Sequence, residues 1–438
     1  MRRRDLLKLA PALAPCLGMP ALMAQSTSQN PAVSRARNGT SPLRIVKVEA
    51  FVVRTPNDNR PADQLIEMPP VGAMTGGPGL WNRLDHASPS RFFGHTQAVL
   101  VKITTNQDLV GWGECHAPAA PRVHQTVVSD LLAPVLLGQN ALDVEPLWEK
   151  MYSTQRLRGY SDGFYTEAIA GADLALWDIL GKFTGQPVYQ LLGGRYRREI
   201  PTYVGIGGND IPALKASAAK AVREGYGAVK MSLSKGAGTN DLNRVLEVAE
   251  SIRGKAQLLV DSLGGYKLYE AIKVGRELDR NGNIGWWEDP LTPDDTESYP
   301  KLADALDTAI VAGEELSNRF QFRDLFAKKS VDIVNPDVCR AGGITEMKRI
   351  AVLADAHGIL WAPHVSTGTA PYVSASIHLA CATPNFLIME GGNIFAGPLG
   401  NALLKQPFAW TPGHATVSES PGLGVEFDEK ELRKVIAA

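Results

Sequence analysis

Residues 284–290 read Ile-Gly-Trp-Trp-Glu-Asp-Pro, an apolar run that ends in two carboxylates and a proline. A continuous apolar run of this length is typical of a strand that is buried on both faces of a parallel sheet. The same pattern, an apolar run that ends in a polar residue, occurs at six places along the chain: Asp261, Glu288, Glu314, Asp337, His364 and Glu390.

The spacing of these six residues predicts the fold. Successive members are separated by 27, 26, 23, 27 and 26 residues, which is about the length of one strand, one helix and two short loops. This period is expected of a (β/α)8 barrel, in which the carboxyl ends of all strands meet at one mouth. Two earlier strands are predicted at residues 200–204 and 228–232, which brings the number of barrel strands to eight.

Three acidic members of the series predict a metal site. One acidic residue after a strand often does no more than cap the next helix. Three of them on successive strands supply the oxygen ligands that Mg²⁺ prefers and leave positions open for substrate oxygens. The sequence therefore predicts one Mg²⁺ bound by Asp261, Glu288 and Glu314.

Composition limits the class of protein. The chain has 438 residues, 44% of them hydrophobic, which is enough for a large core and for two or three domains. The formal net charge is −1, so nothing favours a nucleic-acid partner. If a leader over residues 1–24 is removed, three cysteines remain: Cys115, Cys339 and Cys381. Their number is odd and their spacing is not that of a metal site, so no disulfide framework is expected.

The N-terminus predicts export. Arg3 and Arg4, followed by an apolar stretch over residues 9–23, resemble a twin-arginine signal, and the stretch is too short and too interrupted by proline for a membrane span. We predict a signal peptide over residues 1–24, a flexible linker over 25–42, a periplasmic location and no stable membrane association after cleavage. An uncleaved anchor is the alternative.

Before the barrel, the pattern predicts an α+β capping domain over residues 43–185. Alternating segments at 44–53, 98–103 and 109–114 predict an antiparallel meander, and helical periodicity follows at 122–137, 144–152 and 166–183. The polar segment 56–94 is predicted to be a lid or a disordered loop. The barrel domain is expected over 186–395, and a C-terminal segment, 396–438, is expected to return to the capping domain.

Together these residues resemble the enolase superfamily, in its mandelate racemase subgroup. The likeness covers about residues 43–435. It is carried by the ordered series Asp, Glu, Glu, Asp, His, Glu on strand ends and by the following segments: Gly-Trp-Gly-Glu at 111–114, Ala-Leu-Trp-Asp-Ile-Leu-Gly-Lys at 175–182, Leu-Leu-Gly-Gly at 191–194, Pro-Asp at 336–337, Gly-Gly-Ile at 342–344 and Ala-Pro-His at 362–364.

The resemblance implies removal of the proton α to a carboxylate, with Mg²⁺ stabilising the enediolate. In that scheme His364 is the base, Asp337 orients its imidazole, Glu390 donates a hydrogen bond to the substrate carboxylate, and Lys230 polarises it. The chain departs from the family at Ser232, where a second lysine acts as the opposite base. The family habit also implies a homo-oligomer.

The expected activity is therefore a Mg²⁺-dependent dehydratase of an acid sugar, a small-molecule carboxylate, that yields a 2-keto-3-deoxy acid. An epimerase or a cycloisomerase is the alternative enzyme, and it requires a second base or acid that the sequence does not reveal. An exported sugar-acid binding protein without turnover is the alternative from another class. The intact pair of His364 and Asp337 argues against it, because binding alone needs no general base.

Overall fold

A computed structural model describes residues 42–55, 65–68, 90–93, 97–118, 120–233, 239–366, 368–392, 399–408 and 410–437. The predicted signal peptide and all but the last residue of the predicted linker lie outside these ranges. In the described part of the chain, none of the helices combines the length and the apolar character that crossing a membrane requires.

The N-terminal domain contains two antiparallel sheets. Its strands are β1 (Ile45–Arg54), β2 (Leu65–Met68), β3 (Ser90–Phe93), β4 (Gln97–Thr105) and β5 (Val110–Cys115). The sheet order β1-β4-β5 confirms the predicted meander. β2 pairs with β3 inside the segment that was predicted to be one polar loop. The rest of that segment, including the residues on which the lid prediction rests, lies outside the described ranges.

Helices pack on one face of this meander. They are α1 (Pro121–Thr126), a π-helical turn (Val127–Leu132), α2 (Ala133–Leu136), α3 (Val144–Arg156), α4 (Phe164–Thr184) and α5 (Val188–Leu191). α4 lies directly on β5, where a Cβ atom at Gly111 or Gly113 would overlap backbone carbonyl oxygens of the helix. The Gly-Trp-Gly-Glu segment is thus explained by close packing of a helix on a strand.

The predicted barrel is confirmed. Its strands are β6 (Glu199–Gly205), β7 (Ala228–Ser232), β8 (Gln257–Asp261), β9 (Ile284–Glu288), β10 (Ile310–Ala312), β11 (Ile333–Val334), β12 (Leu360–Trp361) and β13 (Met389–Glu390). Neighbouring strands from β6 to β12 are parallel and paired in chain order. β13 pairs with β6, and the amide of Leu387 donates to the carbonyl of Trp361 at 2.8 Å, which closes the ring.

Helices follow the barrel strands as the repeat requires. They are α6 (Ile211–Glu224), α7 (Thr239–Ser251), α8 (Leu268–Asn281), α9 (Tyr299–Ala303), α10 (Arg319–Ala327), α11 (Ile344–Ala356) and α12 (Ala370–Ala382). Their buried side chains belong to a large core that continues into the N-terminal domain. The described parts of the N-terminal domain and the barrel belong to one compact unit, Pro42–Ala438.

A separate, smaller apolar cluster fills the barrel interior. It contains Tyr203, Ala228, Leu259, Trp286, Val311, Ile333 and Ala362, one from each strand from β6 to β11 and one directly after β12. Because side chains alternate between the two faces of a strand, the residue two positions later again faces the interior. This rule places the following residues at the mouth above the apolar layer: Lys230, Asp261, Glu288, Asn335 and His364.

The C-terminal segment differs in part from its prediction. Besides a 3₁₀ turn (Asn401–Leu403) and α13 (Glu429–Val435), it contains a hairpin of β14 (Trp410–Thr411) and β15 (His414–Thr416). β15 pairs antiparallel with β6, so this part joins the barrel sheet. Strands of two and three residues are too short for alternation to reveal. The segment also contacts the N-terminal domain, through a bridge between Ile436 and Val53.

Candidate active site

Glu288 lies at the mouth, at the end of β9, and is almost fully buried. Its Oε2 accepts a hydrogen bond from Trp286 Nε1 at 3.2 Å, and its Oε1 accepts one from Asn335 Nδ2 at 3.1 Å. Burial, opposed by the charge of Lys230 and reinforced by Asp261 and Glu314, raises the pKa of Glu288 to about 8. Crowded carboxylates of this kind favour binding of a cation.

Two sets of carboxylates could hold that cation. Glu288, Asp289 and Glu314 offer oxygen atoms that all lie within 4.8 Å of one another. Asp261, which the sequence predicted as the third ligand, stands opposite Glu288 on the neighbouring strand. Its Oδ2 lies 3.4 Å from Lys230 Nζ. The second set is therefore Asp261, Glu288 and Glu314. Both sets consist only of oxygen donors, which fits Mg²⁺.

Backbone geometry explains how Glu314 and Asp289 reach this place. Glu314 does not follow the two-residue alternation from Val311, because Gly313 lies between them with φ of 130°. That conformation is open to glycine and rarely to other residues, and it turns Glu314 back toward the mouth. Asp289 follows Glu288 directly with φ of 41°. One of its carboxylate oxygens, Oδ2, is buried without a hydrogen-bond partner.

His364 and Asp337 form a closely bonded pair. Their residues face each other as an isolated parallel bridge, and His364 Nδ1 lies 2.7 Å from Asp337 Oδ2. The hydroxyl of Tyr372 donates to the same oxygen. The other oxygen, Oδ1, accepts from the backbone amides of Cys339 at 2.8 Å and Arg340 at 3.1 Å. Every donor that reaches Asp337 therefore favours its charged form.

Nearby charges shift the pKa values of both Asp337 and His364. Burial alone would raise the pKa of Asp337, but the hydrogen bond and charge of His364 hold it well below the ordinary value. Burial alone would lower the pKa of His364, but Glu314 and Asp337 raise it to about 9. The second ring nitrogen, Nε2, lies 3.5 Å from Glu314 Oε2. With Nδ1 held by Asp337, Nε2 is the atom that faces the carboxylate cluster.

Lys230 links the remaining predicted residues. Its Nζ lies 3.5 Å from Glu288 Oε1 and 3.6 Å from Glu390 Oε1, and 5.6 Å from the ring centroid of Tyr203. Burial opposes its charge, yet Glu288 and the other nearby acids hold the pKa of Lys230 well above its usual value. Glu390 is thus one of three carboxylates around Lys230, and its role as a hydrogen-bond donor to the substrate carboxylate stays a prediction. Ser232 is exposed at the end of β7.

The structure therefore brings all seven predicted residues to one mouth, and it adds residues that sequence reasoning missed. Asn335 could have been found, because it lies two positions after the interior residue Ile333. Tyr372 carried no signal, since it lies on a helix and reaches Asp337 only in the folded chain. His116 carried no signal in the sequence either. It is buried, but it lines a cavity beside Arg340.

Comparisons with known proteins agree with this architecture. Residues 213–431 match the family described as Enolase C-terminal domain-like. Residues 88–193 match the N-terminal domain of mandelate racemase and muconate lactonizing enzyme. The chain belongs to the enolase superfamily, in the group of mandelate racemase and muconate lactonizing enzyme, and it is an enzyme of that group.

Particular relatives differ in the reaction that their names describe. D-galactarolactone cycloisomerase of Agrobacterium fabrum is 32% identical over 370 residues, which cover 81% of this chain and 95% of that protein. D-galactonate dehydratase of Pectobacterium atrosepticum is 32% identical over 345 residues, covering 76% and 89%. The crystal structure of the 3,6-anhydro-D-galactonate cycloisomerase from Zobellia galactanivorans matches with a TM-score of 0.73 at 29% identity, covering 90% of this chain and 100% of that one.

Proposed function

We propose that this protein is a Mg²⁺-dependent dehydratase of acid sugars, which removes water from a sugar acid to give a 2-keto-3-deoxy acid. The observation that carries the proposal is the pair of His364 and Asp337, in which the second ring nitrogen of His364, Nε2, lies 3.5 Å from Glu314 Oε2. A general base beside a cation site is the arrangement that removal of a proton α to a carboxylate requires.

We assign the metal to Asp261, Glu288 and Glu314. Asp261 and Glu288 each lie two positions after a residue of the interior layer, Leu259 and Trp286, and so face the same interior as His364. Asp289 follows Glu288 directly and lines a different cavity, with Tyr299 and Leu316 on the helix side of the barrel. When bound, Mg²⁺ supplies positive charge that stabilises the enediolate oxygens.

Protonation of His364 depends on the charge of Glu314. Glu314 and Asp337 raise the pKa of His364 to about 9, above the range in which a histidine accepts a proton most readily at neutral pH. A cation held by Glu314 would offset that carboxylate, and the pKa of His364 would fall toward the range in which a histidine accepts a proton. Metal binding at Glu314 and the pKa of His364 are thus coupled in this proposal.

The chain's own groups then complete the elimination. His364 Nε2 takes the proton from the α-carbon, and the electron pair moves into the carboxylate, which becomes the enediolate. When the carboxylate re-forms, the pair makes a double bond between the α- and β-carbons, and the bond from the β-carbon to its hydroxyl breaks. His364 returns its proton to the departing hydroxyl, so water leaves, and the enol product becomes the 2-keto acid. Lys230, among three carboxylates, is placed to orient the substrate carboxylate.

The second candidate is a cycloisomerase, which the similarity to the enzymes from Agrobacterium fabrum and Zobellia galactanivorans favours. A racemase or epimerase is less well supported. It needs a base on the face opposite His364, and at the family's position for that base the chain has Ser232, an exposed hydroxyl with no useful basicity at neutral pH.

A screen of five- and six-carbon sugar acids with Mg²⁺, scored by formation of a 2-keto product, tests the proposal. We expect turnover of at least one acid, loss of turnover in EDTA and loss in His364→Asn. A matched control is His414→Asn, which changes an exposed histidine on β15. Conversion of lactones without any keto acid from open-chain acids would favour the cycloisomerase. A His364→Asn variant with full turnover would refute the assigned base.

A further inference from the structure

Glu114, near the end of β5, is a fully buried acid of the N-terminal domain that contacts the barrel. Its Oε2 accepts from the backbone amide of Thr369 at 2.8 Å and from the hydroxyl of the same residue. Thr369 stands immediately before α12. The hydroxyl of a threonine at this position commonly accepts from an amide of its own helix, whereas here it donates to Glu114. Glu114 thus holds the start of α12 against the N-terminal domain.

The first turn of α12 carries Tyr372, which contacts the catalytic pair. Its hydroxyl donates to Asp337 Oδ2. Its ring is fully buried and packs against His116, with centroids 5.7 Å apart. Because His116 follows Glu114 by two residues, one segment of the N-terminal domain holds both the start of this turn and the ring that it carries. A continuous series of contacts therefore leads from Glu114 through Thr369 and Tyr372 to Asp337.

The backbone of Glu114 is also linked to the second oxygen of Asp337. Cys339 Sγ donates to the carbonyl of Glu114 at 3.3 Å, and the amide of Cys339 donates to Asp337 Oδ1 at 2.8 Å. Replacing the side chain of Glu114 leaves this second link in place, because the backbone makes it. A substitution at Glu114 therefore tests the series of contacts through Tyr372.

The carboxyl of Glu114 acts through the position of its oxygen. Burial raises the pKa of Glu114 to about 8, although the hydrogen bonds from Thr369 oppose the shift, so the group is largely neutral at pH 7. A glutamine is also neutral and presents an acceptor oxygen at the same distance from the backbone. An alanine would leave the amide and the hydroxyl of Thr369 without this acceptor, and an unpaired amide at a helix start is costly when it is buried.

We infer that Glu114 is a positioning residue for the general base: it fixes the first turn of α12, so that Tyr372 holds Asp337 and Asp337 holds the imidazole of His364. The inference rests on the proposed function, because it assumes that His364 is the base. It assigns part of the active-site support to the N-terminal domain.

A double-mutant cycle tests whether Glu114 acts through Tyr372. Glu114→Ala should lower kcat by about 10- to 100-fold, no more than Tyr372→Phe does, because it displaces the same hydroxyl. KM should change by less than about threefold, since the lost support acts in the transition state. The variant with both changes should be no slower than Tyr372→Phe alone, because the two residues belong to one series of contacts. Glu114→Gln should recover kcat to within about threefold of wild type.

Asp178→Ala is the matched control, because Asp178 is an equally buried acid of the same domain. It accepts from the amides of Trp112 at 3.0 Å and Leu423 at 2.9 Å, which lie outside the loops that carry Asp337 and His364. Its replacement should lower the unfolding temperature and leave kcat per folded molecule unchanged.

The position of the imidazole can also be followed without turnover, by ¹⁵N NMR of the histidine ring nitrogens. The chain has eight histidines, and the signal that disappears in His364→Asn identifies the residue. Glu114→Ala should shift the Nδ1 signal of His364 in the same direction as Tyr372→Phe does, and Asp178→Ala should leave it in place.

If Glu114→Ala does not fold, Thr369→Val replaces it in both experiments. This change keeps the shape of the side chain and removes one of the two donors to Glu114, so kcat should fall by about three- to tenfold.

Four results would overturn the inference and leave the proposed function standing: additive losses in the double variant, no recovery in Glu114→Gln, a loss of kcat in Asp178→Ala as large as in Glu114→Ala, or an Nδ1 signal that Glu114→Ala does not move. If no sugar acid is turned over, the proposed function fails, and the Nδ1 signal alone decides whether Glu114 positions the imidazole.

Discussion

Replacing Asp337 by asparagine tests how this residue acts on His364, because all the groups that contact its carboxylate donate hydrogen bonds to it. Oδ2 accepts from His364 Nδ1 and from the hydroxyl of Tyr372, and Oδ1 accepts from two backbone amides. An asparagine presents an oxygen on one side and an NH₂ group on the other. Turned one way, its NH₂ group faces the two backbone amides, and both of their bonds are lost. Turned the other way, it faces Nδ1–H of His364 and the hydroxyl of Tyr372, and both bonds donated to the charged oxygen are lost, although the hydroxyl can turn to accept.

The size of the effect follows from these contacts. A hydrogen bond to a charged group is worth about 1.5–3 kcal/mol, so the loss of two at Oδ2 costs about 3–6 kcal/mol. If that loss falls on the transition state, where the imidazolium forms, the rate falls by about 10²–10⁴-fold. We therefore expect kcat/KM of Asp337→Asn to drop within that range, measured by keto-acid formation with the best sugar acid from the screen.

Stability should change with a defined dependence on pH. Because the pKa of Asp337 is held below its ordinary value in the folded protein, its charge stabilises the fold fully above the unfolded-state pKa of about 3.9. That contribution is lost as the pH falls toward the lower folded-state pKa. The difference in thermal unfolding temperature between wild type and Asp337→Asn should therefore be largest at neutral pH and shrink below about pH 4.

Two controls accompany this variant. Tyr372→Phe removes one donor to Asp337 Oδ2 and keeps the charge, so it should lower kcat/KM by about 10- to 100-fold, less than Asp337→Asn does. Asp355→Asn changes an exposed carboxylate on α11 and should have no effect. If Asp337→Asn kept kcat/KM within about threefold of wild type, ~0.65 kcal/mol in the barrier, the account of His364 as a base tuned by Asp337 would be wrong.

Three other predictions concern the metal, the fold and the leader. Asp261→Asn should weaken Mg²⁺ binding, measured by calorimetry, more than about tenfold, whereas Asp289→Asn should leave it nearly unchanged. If Asp289→Asn weakened Mg²⁺ binding and Asp261→Asn did not, the third ligand would be Asp289. Gly113→Ala places a Cβ atom against a backbone carbonyl of the helix, so it should lower the free energy of unfolding by about 3 kcal/mol. The kcat per folded molecule should not change. An unchanged unfolding temperature would show that the helix and the strand are not in close contact here. Replacing Arg3 and Arg4 by lysine should retain the enzyme in the cytoplasm of a bacterial host, and unchanged recovery from the periplasm would exclude a twin-arginine route.

Much of the barrel could be predicted because its signals are local. Each apolar run that ends in a polar residue indicates one strand, and the interval between Asp261 and Glu288 indicates one complete repeat of strand and helix. Alternation with period two then decides which side chain faces the mouth, as it does from Leu259 to Asp261. The family resemblance added roles for these residues, which neither spacing nor composition could supply.

The parts that could not be predicted depend on contacts between distant residues. Tyr372 reaches Asp337 from the first turn of α12, and no periodicity marks that contact. The approach of Asp289 to Glu314 depends on backbone turns at Asp289 and Gly313, which a strand pattern does not describe. The cavity bordered by His116 and Arg340 exists only where two domains meet, so neither residue stood out in the chain.

The central claim is that His364 is the base that removes the α-proton and that it acts on one face of the substrate. It is tested most directly by proton NMR of turnover in D₂O with Mg²⁺, using a slow sugar acid or an analogue without the β-hydroxyl. The account predicts that any deuterium at the α-carbon of recovered substrate is incorporated with retention of configuration, and that His364→Asn shows neither exchange nor dehydration. Deuterium incorporated with inversion at the α-carbon would reveal a second base on the opposite face and contradict the claim.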